Sequence, residues 1–151
     1  MAQLKRFIGF YEVTVDNKGR VHLPSKIRAT LEDVYNQPLI VTIAASRGLT
    51  CYPQDEWVSK YDKLEEAANN LSDDSLEQKL RLVSGYANEV SVKNGRILIP
   101  MRLREYAKLG SNAIIIGRSK KIEIWAADRL EELVGGFDDD RIAKELRGVG
   151  F

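Results

Sequence analysis

The chain has 151 residues, of which 44% are hydrophobic, enough for the core of one ordinary domain or of two small fused ones. One cysteine, Cys51, and one histidine, His22, argue against an internal disulfide and a Cys/His metal site, and the formal net charge is only +1. Because no apolar run approaches the roughly eighteen residues that cross a membrane, and no signal-peptide stretch opens the sequence, we expect a cytoplasmic protein.

The first third of the chain predicts a small β-rich unit that contains one short helix. Residues 11–16 alternate apolar and polar side chains, and residues 21–23 resume the alternation after a turn, which predicts a β-hairpin. Pro24 stands where a proline can open a helix, and residues 25–31 have an apolar face. β-branched and aromatic side chains predict two further strands, at residues 39–45 and around Cys51 and Tyr52.

The middle of the chain predicts an arm of two helices. Apolar side chains recur with helical spacing from Trp57 to Leu71 and again from Leu76 to Val83. The sequence LSDDS between them supplies Ser and Asp residues that can cap a new helix. This arm is acidic, because residues 54–77 contain eight acidic residues and only two lysines.

The second half of the chain repeats the first at a constant offset of 76 residues. NKGRVHLP (17–24) returns as KNGRILIP (93–100), and residues 113–117 and 122–125 predict the equivalent strands. After them we predict a shorter helix at 128–134 and a last helix at 138–147. The sequence therefore predicts an α+β protein made by tandem duplication, with units at residues 5–84 and 85–147.

Basic charge concentrates around both copies of the repeated phrase. Residues 1–28 contain six basic residues and two acidic ones, and residues 93–108 contain five basic residues and one acidic one. Charge that is segregated in this way suggests an anionic partner at the repeats.

The repeated turn offers an arginine that the backbone can hold in place. In DNKGR (16–20), a type I turn followed by Gly19 in the left-handed region would set Asp16 opposite Arg20, with Lys18 beside it. An ordered guanidinium suits phosphate oxygens or the O6/N7 edge of guanine. An exposed hairpin with solvated charges is the alternative, and the repetition of the motif favours the binding interpretation.

These motifs resemble those of the MraZ family, tandem SpoVT/AbrB-type transcriptional regulators of bacterial division and cell-wall gene clusters. The matching residues are Gly9, Asp16, 18–20 (KGR), Pro24, Trp57, 95–96 (GR), 100–104 (PMRLR) and 122–125 (IEIW). The resemblance implies a swapped-hairpin-type β-barrel with attached helices, a ring-shaped homo-oligomer, nucleoid association and binding to repeated boxes of double-stranded promoter DNA. The family's acid and arginine signature for DNA contact falls on Asp16 and Arg20.

The second copy departs from this signature. Val92 occupies the position equivalent to Asp16, so Arg96 lacks its expected carboxylate partner. Residues 94–95 (NG) favour a two-residue type I′ turn instead, which would set Lys93 opposite Arg96. We therefore predict that the two turns differ in geometry and that the two halves bind DNA unequally.

The candidate DNA-binding residues are Asp16, Lys18, Arg20, Arg28, Lys93, Arg96 and Arg104. Arg28 and Arg104 either touch phosphate or belong to solvated helix faces, and Lys5 with Arg6 is a candidate basic arm. His22 shares a strand face with Arg20 and is either a pH-dependent contact or simply exposed. We expect Cys51 to be a buried inert thiol, and Trp57 and Trp125 to pack helices against strands.

Three classes of function remain to be compared. The leading hypothesis is a DNA-binding regulator of promoter repeats, in a gene cluster that includes its own gene. An enzyme is disfavoured, because the sequence has no nucleophile elbow, phosphate-binding glycine loop or metal-spaced ligand set, so we expect no cofactor and no small-molecule substrate. The third hypothesis is an assembly or antitoxin-like protein-interaction module without direct DNA readout.

Overall fold

Eight strands and six α-helices form in residues 6–151, the part of the chain that the computed structural model describes; Lys5 of the expected basic arm lies outside it. The strands are β1 (Phe10–Thr14), β2 (Arg20–His22), β3 (Leu39–Ile43), β4 (Leu49–Pro53), β5 (Asn88–Val90), β6 (Arg96–Leu98), β7 (Asn112–Arg118) and β8 (Lys121–Ala126). The helices are α1 (Ser25–Thr30), α2 (Gln54–Leu71), α3 (Asp74–Tyr86), α4 (Met101–Ala107), α5 (Ala127–Val134) and α6 (Asp139–Arg147).

The strand order reflects the duplication. Six antiparallel strands form one sheet in the order β1-β7-β8-β4-β3-β5, and β2 and β6 form a separate two-stranded ribbon. From one edge inward the strands are β1, β7 and β8, and from the other edge inward they are their counterparts in the other unit, β5, β3 and β4. The two halves therefore occupy equivalent places in one sheet.

The predicted hairpin of residues 11–16 with 21–23 is wrong beyond its turn. Within one unit, only a single bridge, between Val15 and Val21, joins these segments. β1 pairs instead with β7 of the second unit over five residues, and β2 pairs with β6. Pairing with β1 satisfies the backbone hydrogen-bonding groups along one edge of β7, whose residues Ala113, Ile114 and Ile115 are buried. Val21 of β2 is buried in the core cluster that contains residues of both units.

The predicted α+β class is confirmed, but strand pairing among the described residues does not close a barrel. β1 and β5 each have one neighbouring strand and form the edges of the larger sheet. The inner side chains of the ribbon, among them Val21 and Ile97, join the same buried cluster as Val41 and Ile115 of the sheet. The ribbon thus covers the shared core of the two units.

The helical arm forms as predicted. Ser72, which has a left-handed backbone (φ 47°), caps the C-terminus of α2, and the Asp73 carboxylate caps α3 by accepting the N–H of Leu76 at 3.0 Å. Trp57 packs between Tyr52 of β4 and Tyr61, with ring centroids 6.2 and 5.4 Å apart. Within residues 6–151, no helix is both long enough and apolar enough to span a membrane.

The backbone of Ile8 lies directly over Gly117 of β7. A Cβ at position 117 would stand 2.6 Å from the Cα of Ile8, and the Gly117 N–H donates to the carbonyl oxygen of Gly9 at 2.9 Å. Since backbone atoms rather than a flexible side chain fill this space, an added methyl group has no room.

We therefore expect Gly117→Ala to lower the free energy of unfolding by about 1–3 kcal/mol, the usual cost of overpacking. Gly85→Ala is the matched control, because nothing lies within 4 Å of a Cβ at that helical position. Its stability should be unchanged or raised by up to about 1 kcal/mol. Urea unfolding of both variants measures the difference, and equal stabilities would contradict the close approach at Gly117.

Candidate functional site

The first turn has the geometry that its sequence predicts. The Gly19 N–H donates to the carbonyl oxygen of Asp16, and the Asp16 N–H donates to that of Arg20, both at 3.0 Å. Gly19 has a φ of 88°, in the region that favours glycine. This is the predicted three-residue loop, and it places Asp16 beside Arg20.

The Asp16 carboxylate organises this turn. Its Oδ1 accepts the backbone N–H groups of Lys18 and Arg20 at 2.9 Å, and its Oδ2 accepts the Nε–H of Arg20 at 2.6 Å. These bonds, foremost the backbone N–H of Arg20, lower the pKa of Asp16 from its usual 3.8 to about 2. The carboxylate is therefore ionised at neutral pH and fixes the Arg20 guanidinium.

The second turn differs, as predicted. Asn94 and Gly95 have φ values of 53° and 73°, and Lys93 and Arg96 exchange both backbone hydrogen bonds, at 2.9 and 3.0 Å. This pattern is that of a two-residue type I′ turn. Val92, which replaces the acid, is half-buried and packs against the core.

Arg96 nevertheless lies near a carboxylate, contrary to the expectation from Val92. Its Nη1 is 3.8 Å from the Oδ2 of Asp16, the same oxygen that holds Arg20. The pairing of β2 with β6 explains this contact, since it sets His22 opposite Arg96 and brings the first unit's acid to the second unit's arginine. One carboxylate thus serves the arginines of both copies.

Arg28 and Arg104 lie over the turn of the opposite unit. The Nε–H of Arg28 donates to the carbonyl oxygen of Leu23 at 3.1 Å, and that of Arg104 donates to Ile99 at 2.9 Å. A Cβ at Gly19 would collide with the Arg104 guanidinium, and one at Gly95 would lie 3.1 Å from Nη1 of Arg28. Both arginines are half-buried, so they are not freely solvated side chains.

The sequence did not show this exchange of arginines between units. The equal spacing from each glycine to its own arginine was visible, but it did not reveal that each arginine packs on the other copy.

Cys51 is fully buried, as predicted, and burial raises the pKa of its thiol. Among the described residues, no three His, Cys, Asp or Glu side chains cluster in a way that could hold a metal ion.

Together these residues form the basic face, which we define as the outer surface of the β2–β6 ribbon, its two turns and the arginines of α1 and α4 that pack against those turns. The basic face contains Lys18, Arg20, His22, Arg28, Lys93, Arg96 and Arg104. A cavity of about 510 Å³ beside it is lined by Arg20, Lys93 and Arg96 and by residues 88–91, which include the acid Glu89. The two-stranded ribbon therefore presents several cations, with the Asp16 carboxylate close to the two central arginines.

Comparison with known proteins gives a consistent result. The model of the MraZ protein family, an antitoxin-like family by its description, matches residues 7–82 and 86–150. A "Transcriptional regulator MraZ" from Shewanella woodyi is 34% identical over 96% of this chain and 98% of that protein. Proteins of the same name from Oenococcus oeni and a Marinomonas species are 36% and 39% identical, over 93% and 83% of this chain and 96% and 83% of their own lengths.

The pKa of Asp16 gives a direct test of the turn. We expect its carboxyl carbon, followed by NMR as the pH is lowered from 6, to titrate with a midpoint near 2. Because the folded-state pKa is depressed, the carboxylate stabilises the fold above its unfolded pKa, and this contribution disappears as the pH falls from about 4 through 2. A midpoint near 4 would contradict the three hydrogen bonds.

Proposed function

The chain belongs to the MraZ family, and from this premise we propose that it is a sequence-specific DNA-binding transcriptional regulator. The observation that carries the proposal is the basic face, where Asp16 fixes Arg20 and lies 3.8 Å from Arg96 on a ribbon shared by both units. The relatives' name supports regulation as the role, and the geometry supports nucleic acid as the ligand.

A two-stranded ribbon that carries arginines has the kind of backbone and the donors that suit duplex DNA. The major groove of B-DNA admits a two-stranded β-ribbon, and arginine pairs with the O6 and N7 atoms of guanine. In this proposal Arg20 and Arg96 contact base edges or the flanking phosphates, whereas Lys18, Lys93, Arg28 and Arg104 contact phosphates and set the register. Because Asp16 already orders Arg20, binding loses less side-chain entropy than it would with a free arginine.

Assembly belongs to the same mechanism. A single basic face reaches few phosphates, and the salt-dependent part of the affinity scales with the number of contacts. A homo-oligomeric ring would present several ribbons to repeated promoter boxes and would gain effective concentration where the spacings match. We infer that the boxes lie before a division and cell-wall gene cluster that includes the chain's own gene, and that the protein is cytoplasmic and nucleoid-associated.

A protein-interaction module is the second candidate function, and the antitoxin-like description of the family favours it. In that case a partner protein would occupy the chain without any DNA readout. A stable second protein that copurifies with the chain, together with a salt-independent response to promoter DNA, would favour this alternative.

The first prediction from the proposal concerns Arg20. We expect Arg20→Ala to weaken binding to a promoter fragment with repeated boxes by about 1–3 kcal/mol per engaged ribbon. If the lost contact is to phosphate, the slope of log affinity against log salt should fall by about 0.9 for each engaged ribbon. Arg81→Ala, which removes an equal charge from the exposed surface of α3, is the control and should bind like the parent. Equal affinities of the Arg20 variant and the parent, by fluorescence anisotropy, would refute this role.

The second prediction tests whether Asp16 orients Arg20 for binding or only adds a negative charge that repels DNA. Asp16→Asn removes a negative charge from the basic face, so simple electrostatics predicts tighter binding to DNA. If instead the carboxylate acts by fixing Arg20, the substitution weakens binding, because both arginines lose their anchor. We expect weaker binding in the same anisotropy titration, and tighter binding would show that Asp16 has no positioning role.

A further inference from the structure

A largely apolar cleft of about 420 Å³ lies between the helical arm and the sheet. Its floor comes from β3 and β4 and its walls from α2 and α3, with the apolar side chains Ile43, Tyr52, Trp57, Leu64, Leu80 and Val83. Leu82 at its border is 57% exposed, and the buried hydroxyl of Thr50 has no hydrogen-bond partner among the described residues. Nothing in the described chain fills this cleft.

The border of the cleft is basic, although the arm as a whole is acidic. Lys60, Lys79 and Lys121 line the cleft, and no carboxylate is among its lining residues. An adjoining cavity shares Lys60 and Lys121 and adds three more cations, Lys63, Arg118 and Lys120, against one acid, Glu56. An occupant that is apolar on one face and acidic at its edge would complement this surface.

Helix α6 has these properties. Ile142 and Leu146 are four residues apart, so they lie on one face of α6, and they are 37% and 42% exposed; Val149, in the turn after the helix, is 69% exposed. None of the residues of α6 is buried. Acids at 138, 139 and 140 make the start of the helix negative, whereas Glu145 is ion-paired with Arg141 and the last turn is basic.

We propose that α6 of one copy of this chain docks in the cleft of a second copy. The apolar face of α6 would lie against the aromatic and aliphatic walls, and its acidic first turn would face the lysine border, as in other complexes of an amphipathic helix with a groove. The nine residues of α6 span about 13 Å, half of the roughly 27 Å spanned by the 18 residues of α2, so α6 is short enough to lie along this wall of the cleft.

Docking within one chain is disfavoured because α6 is already attached elsewhere. The Nη1–H groups of Arg141 donate to the carbonyl oxygens of Val134 and Gly135 at 2.8 and 2.7 Å, and Phe137 makes an edge contact with Phe10 of β1. β7 and β8 separate β1 from β4, which forms the cleft. In this position α6 leaves its apolar face exposed for another copy.

The proposed contact is heterologous, because the docking helix and the receiving cleft are different surfaces. A heterologous contact that repeats produces a ring when its rotation closes. The inference therefore rests on the assembly part of the proposed function and supplies an interface for it. It does not depend on DNA recognition.

Two complementary variants test the docking. Ile142→Asp with Leu146→Asp disables the helix, and Leu64→Asp disables the cleft; all three side chains are at least 36% exposed, so the fold should tolerate the changes. By sedimentation velocity, we expect the parent to form assemblies, and each variant alone to be mainly monomeric with association at least ten-fold weaker. An equimolar mixture should form a dimer, because each variant retains the surface that the other lacks. Leu71→Asp, on the arm and outside the cleft, is the control and should assemble like the parent.

The remaining outcomes all contradict the proposal, and they can be told apart. A parent that assembles while the variants assemble equally well refutes this interface but leaves the assembly in place. A parent that is monomeric at all concentrations refutes the assembly itself. If native mass spectrometry of such a monomer finds a small molecule or another protein bound through the cleft, the cleft belongs to that occupant. The Arg20→Ala protein should assemble like the parent, which separates failure of docking from failure of DNA binding.

Discussion

Neither half of the chain pairs its own first two strands with each other, and this constraint shapes everything at the surface. Because β1 and β2 find their partners in β7 and β6, both units are needed to complete either one. The exchange brings the two turns to one ribbon. It also places Arg104 of the second unit over Gly19 of the first, and Arg28 of the first unit over Gly95 of the second. A basic face of this kind cannot form from one unit alone, even though each unit carries all of its residue types.

The two turns share a scaffold but differ in electrostatics. The first has an acid whose pKa is lowered to about 2 by hydrogen bonds from its own loop, whereas the second has Val92, which contributes to the core instead. Two carboxylates at the centre of the face would have added negative charge where an anionic ligand approaches. One carboxylate close to two arginines orders one guanidinium tightly and leaves the other more loosely held, at 2.6 and 3.8 Å. The two copies of the arginine therefore differ in how closely Asp16 holds them.

Local features of the fold could be predicted from the sequence, and the pairing between distant segments could not. The loop at Gly19, the type I′ turn at Asn94 and the Asp73 cap follow from the conformational preferences of a few neighbouring residues. Strand alternation shows which face of residues 11–16 is buried, but it does not identify the strand alongside. The same limit concealed the contact of Arg96 with Asp16, since that contact depends on the register of β2 with β6.

The two units agree in their strands and differ in their helices, and the difference matters for assembly. The first unit continues into α2 and α3, with 18 and 13 residues, and the second into α5 and α6, with only 8 and 9. The longer pair forms the cleft against the sheet, and the shorter pair ends in a helix with an acidic first turn and an exposed apolar face. If both units carried the same helices, the chain would have no distinct donor and acceptor surfaces of this kind. The shared strands therefore suit the duplicated task of presenting arginines, and the divergent helices suit a contact that needs two unlike surfaces.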